Sequence, residues 1–82
     1  MEKKEKQEIK SPDKRVVKIG EKLTKMRVDK GYKSYETFAF DNEIGRHQYW
    51  RIEKGANFTM ETLLKILDIH KISLEDFFKG FK

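Results

Sequence analysis

At 82 residues, with 37% hydrophobic and 40% charged side chains, the chain has material for one small core and no second domain. It has no cysteine, which rules out a disulfide staple and a Cys-based zinc site and fits a reducing, cytosolic compartment. No apolar run has membrane-spanning length, the Lys/Glu-rich start is unlike a secretion signal, and the net charge of +5 with pI near 9.5 favours an anionic partner.

Residues 1–10 mix both charge signs around a single internal apolar residue, Ile9, and read as a flexible charged tail; residues 11–82 read as the folded domain. Ser11-Pro12-Asp13 is a helix start, with Ser as cap, Pro at the first helical position and Asp complementing the dipole. Val16, Ile19, Leu23 and Met26 then recur at three- and four-residue intervals, one apolar stripe, with Arg27 at its edge and Gly31 as the stop.

After a short Tyr32-Lys33 linker, Ser34 caps a second helix, Tyr35 to about Asp41, with Phe38 and Ala39 inward. Asn42-Glu43 makes the turn; one of the two takes a positive φ, and Asn tolerates that better than Glu. The third helix, from about Gly45 to Lys54, turns Ile44, Tyr49 and Ile52 inward, presents Arg46, His47, Gln48, Trp50 and Arg51 outward, and stops at Gly55. Thr59 caps a fourth helix with Leu63, Ile66 and Leu67 on one face. Ser73 with Asp76 starts a short fifth helix from Leu74 to about Phe78, whose Leu74 and Phe77 continue the core period. The fold class is all-α, five helices, with a tight turn between the second and third that is the signature of a helix-turn-helix.

From Ile19 to Phe78, about three-quarters of its length, the chain resembles the lambda-repressor-like, XRE-type helix-turn-helix transcriptional regulators that include phage repressors and Cro proteins. The resemblance is carried by KLTKMR (22–27), Gly31, SYETFA (34–39), IGRHQYWRIEKG (44–55) and TMETLLKIL (59–67), of which Ile52-Glu53-Lys54-Gly55 is the most specific piece. Departures are Tyr35 where the family usually has Gln, Glu43 where it has Gly, a linker one residue longer before Ala39, and Phe58 in place of a Pro. A left-handed Glu43 would carry ~1 kcal/mol of strain.

The resemblance implies sequence-specific binding of double-stranded DNA by a small repressor-like, nucleoid-associated regulator, with the third helix in the major groove. Arg46, His47 and Arg51 match the positions that read bases; Arg46 suits guanine and Gln48, beside them, suits adenine. Trp50 either packs on a thymine methyl or sugar, or covers a gap beside the second helix. Ser34 and the start of the second helix match a phosphate clamp, with Lys33, Tyr35, Lys54 and Asn57 as further phosphate contacts. Arg27 and Glu53 are implied to form a partly buried ion pair, and the last helix to make a two-fold contact. Phe78 and Phe81 then either form a homodimer interface or simply close the core.

An enzyme is not expected. There is no Gly-rich phosphate loop, and the two histidines, His47 and His70, sit in different predicted helices without metal-ligand spacing, so no cofactor or metal is implied. The alternatives are an antitoxin-like subunit that binds a partner protein, such as a toxin or another regulator, as well as DNA, and a helical adaptor without DNA binding. Tyr35 and Glu43 are the residues that permit the adaptor.

Overall fold

A computed structural model describes residues 10–81. The tail expected over residues 1–10 falls outside it, except for Lys10, as does Lys82. The described residues form five helices and no strand: α1 (Lys14–Asp29), α2 (Tyr35–Asp41), α3 (Arg46–Glu53), α4 (Met60–His70) and α5 (Leu74–Phe78).

Every helix contributes to one core. Leu23 from α1, Phe38 and Ala39 from α2, Tyr49 and Ile52 from α3, Leu63, Ile66 and Leu67 from α4 and Phe77 from α5 are all buried. These are the inward positions that the helical period requires. The Phe38 ring is the hub: it meets Tyr32 edge-on at 5.1 Å, Tyr49 at 5.0 Å and the His70 ring, stacked, at 5.4 Å. One core expectation fails at the C-terminus. Leu74 is 41% exposed, because α5 is barely more than one turn and can bury only one face, which Phe77 takes. Phe78 and Phe81, partly buried, fold onto Phe77 at centroid distances of 4.9 and 5.7 Å and onto each other at 5.2 Å.

The caps are local chemistry. Ser34 Oγ accepts from the N–H groups of Glu36 and Thr37, Thr59 Oγ1 from Thr62 and Ser73 Oγ from Asp76. At α1 the cap is Asp13 rather than Ser11: its carboxylate accepts from the Arg15 N–H and binds the Arg15 guanidinium at 2.8 Å. Those bonds hold the exposed Asp13 carboxyl down at about 2, well below its ordinary value. Ser11 sits in the turn ahead of the helix, where its Oγ accepts from the Asp13 N–H at 3.2 Å and its own N–H donates to the Gly55 carbonyl at 2.7 Å, and the helix begins two residues later.

The α2–α3 turn also differs from expectation, since Glu43 and not Asn42 is left-handed, at φ 58°. The hydrogen bonds explain it. Ile44 N–H donates to the Ala39 carbonyl and Glu43 N–H to the Phe40 carbonyl, the paired closure in which the first residue beyond the helix cap must be left-handed. Asn42, the cap itself, uses its side-chain amide to donate to the Phe38 carbonyl at 2.8 Å. From α4, Lys65 Nζ donates to the Glu43 carbonyl at 3.2 Å.

α3 is clamped by α1 at its C-terminal end. Gly20 lies so close that a Cβ there would sit 2.3 Å from the Ile52 carbonyl oxygen. One stretch further, Arg27 grips Glu53 with two bonds, Nε to Oε2 at 2.7 Å and Nη2 to Oε1 at 3.1 Å, and donates from Nη1 to the Tyr32 carbonyl at 2.8 Å. The side chains of this pair are only 9% and 7% exposed. The Tyr49 hydroxyl is buried beside the pair. Burial first, and then the Glu53 carboxylate, push its pKa far up, yet it makes no hydrogen bond. Tyr32 is more than a linker residue, since its hydroxyl also donates to Asp41 at 3.1 Å and ties the end of α1 to α2.

Candidate nucleic-acid interface

α3 has eight residues and two inward anchors, Tyr49 and Ile52. With those fixed by the core, helical geometry turns Arg46, His47, Gln48 and Arg51 to solvent, and all four are exposed. Its acidic residue, Glu53, faces inward and is neutralised by Arg27. The exposed face of α3 is therefore cationic and rich in donors, and Lys54 extends it at the C-cap. No side chain caps the N-terminus of α3, where Gly45 occupies the cap position.

Trp50 departs from a fully outward placement. It is half-buried, and its indole stacks with the His47 ring one turn earlier, centroids 5.8 Å apart at 27°. His47 is thus held by an aromatic neighbour rather than standing alone.

The other residues named from the sequence fall in three places. Asn57, distant in the helical pattern, comes to the α3 face: His47, Gln48, Arg51 and Asn57 line one shallow concavity with Ile52 and Phe58 behind them. Lys33 is exposed just ahead of α2, and Ser34 is half-buried with its oxygen engaged as the α2 cap. Tyr35 is half-buried and packs against the core rather than standing clear of it. Phe78 and Phe81 lie in the C-terminal aromatic cluster, where the Lys22 ammonium sits over the Phe77 and Phe81 rings at 4.9 and 5.2 Å.

Three residues escaped the sequence reading. Glu36 lies within 3.3 Å of Arg46, a contact between helices that no local pattern announces. Phe40 on α2 is 83% exposed beside that pair. Gly20 did leave a signal, a glycine on the apolar stripe four residues after Val16, which marks a close approach of backbone. Among the described residues no cluster of His and carboxylate side chains could hold a metal, and no helix is long and apolar enough to cross a membrane. No protein-family model, curated protein or solved structure matches the chain.

Proposed function

We propose that this chain is a sequence-specific double-stranded DNA-binding domain, a small repressor-like regulator whose α2–α3 unit acts as a helix-turn-helix with α3 in the major groove. The observation that carries the reading is the division of α3: Arg46, His47, Gln48 and Arg51 are exposed together while Tyr49 and Ile52 are locked in the core. A donor-rich helix face held rigidly from behind suits the reading of base edges. Arg46 and Arg51 take guanine, Gln48 takes adenine, His47 is held for base contact by Trp50, and Lys33, Ser34, Tyr35, Lys54 and Asn57 serve phosphates. The concavity that brings Asn57 beside Arg51 supports that assignment.

The regulator acts as a homodimer through Phe78 and Phe81, placing two α3 helices ~34–36 Å apart on a palindrome, in the cytoplasm on the nucleoid. A second reading, an adaptor or antitoxin-like subunit that docks a partner protein on α2, is favoured by the exposure of Phe40. Selection of bound sites from random duplexes, followed by footprinting, tests the first. A two-fold symmetric site is expected, with affinity falling steeply as salt rises. Arg46→Ala should relax preference at one base pair per half-site by about 10-fold. A folded protein indifferent to duplex sequence at every ionic strength overturns the proposal, and a co-purifying second chain with no DNA preference favours the adaptor.

A further inference from the structure

The Arg46 guanidinium is already engaged. Its Nη1 donates to Glu36 Oε2 at 3.3 Å, joining the first turn of α2 to the first residue of α3. With the side chains of Arg46 and Glu36 72% and 53% exposed, the pair adds little to stability. Its consequence lies in where the guanidinium points and in the charge beside it.

We propose that Glu36 is a specificity-determining positioning residue for Arg46, on the reading that α3 binds DNA. An unrestrained arginine has two competing uses at such an interface, a phosphate, which carries no sequence information, and a guanine edge, which does. Glu36 engages one N–H of Nη1 and leaves the parallel N–H groups of Nε and Nη2, a fork that can meet guanine O6 and N7. Its backbone is fixed by the cap, since Glu36 N–H donates to Ser34 Oγ at 3.1 Å. The pair lies in a shallow concavity lined also by Thr37, Phe40 and Ile44. The carboxylate has a second effect. A negative charge at the rim of a cationic face opposes phosphate-only binding, so Glu36 weakens unspecific association while sharpening the specific one.

The test is Glu36→Gln, alone and combined with Arg46→Ala, titrated against the selected duplex, its variants at the base pair assigned to Arg46, and an unrelated duplex across a salt series. Glu36→Gln should tighten binding to the unrelated duplex several-fold and steepen its salt dependence by about one counterion, as Arg46 turns to phosphate. Discrimination at the assigned base pair should fall about 10-fold. In the Arg46→Ala background, Glu36→Gln should cost no further discrimination, and its melting temperature should match that of the parent. Glu36→Asp, which keeps the charge but shortens the reach, should restrain unspecific binding while still losing discrimination. Discrimination kept within two-fold in Glu36→Gln, or lost equally with and without Arg46, overturns the inference and leaves DNA reading intact. A parent protein that prefers no duplex overturns both.

Discussion

Substituting Gly20 by alanine sets a local rule against a tertiary contact. Gly20 lies in the interior of α1, where alanine is favoured over glycine by ~1 kcal/mol. On that ground alone the variant should be more stable. The added Cβ, however, would lie 2.3 Å from the Ile52 carbonyl oxygen, 3.1 Å from that of Glu53 and 3.3 Å from the Gly55 nitrogen. All three are backbone atoms at the end of α3, and none can turn aside as a side chain would. The α1–α3 crossing must open, loosening Ile52 in the core and straining the Arg27–Glu53 pair. Overpacking of this kind costs ~1–3 kcal/mol where side chains can yield, and more against backbone. Set against the propensity gain, a net loss of about 1–3 kcal/mol is expected, which for a domain of this size lowers the melting temperature by roughly 4–8 °C per kcal/mol. Thermal melts followed by far-ultraviolet circular dichroism measure it, and a denaturant midpoint checks it. An unchanged or raised melting temperature would refute the clamp, because the propensity gain would then stand unopposed.

Glu43→Gly should stabilise by about 0.5–1 kcal/mol, since relief of a left-handed glutamate, ~1–2 kcal/mol, exceeds the added entropy of glycine in the unfolded chain; a lowered denaturant midpoint contradicts the turn geometry. Glu53→Gln leaves the buried Arg27 charge without its counterion and should cost ~3–5 kcal/mol, seen as a large drop in melting temperature. His70 stacks on Phe38 with Nε2 buried and without a hydrogen-bond partner, and burial, aided by Lys30, lowers its pKa below the ordinary 6.5. The unfolded state then binds the extra proton first, so His70's contribution to stability is complete above about pH 6.5 and declines below it. Urea melts at about pH 7.5 and about pH 5.5 should show that decline, and His70→Phe, which keeps the stack, should remove its share of the slope.

What could be read along the chain was whatever depends on neighbours three or four residues apart. The caps Ser34, Thr59 and Ser73 are of this kind, as are the inward settings of Leu23, Tyr49, Ile52, Leu63 and Ile66 and the outward settings of Arg46, His47, Gln48 and Arg51. Each follows from 3.6 residues per turn and from the unpaired N–H groups at a helix start. Where two elements meet, spacing along the chain no longer decides the outcome. Asp13, not Ser11, caps the helix, Ser11 standing in the turn ahead of it with its N–H on the Gly55 carbonyl, and Leu74 lost the core because Phe77 filled it.

Of the candidate interface, the periodicity identified which α3 residues face outward but not what stands beside them. Residue type favoured Asn42 for the left-handed position, while the bonds from Ile44 and Glu43 back into α2 required it one residue later. The approach of Asn57 to Arg51, the hold of Glu36 on Arg46, the stacking of Trp50 on His47 and the absence of a side chain where Gly20 meets Ile52 were all decided in three dimensions. Helical period fixes the direction of a side chain from its own helix axis; its neighbours across a gap depend on how the axes cross, and that is set by the whole core packing at once.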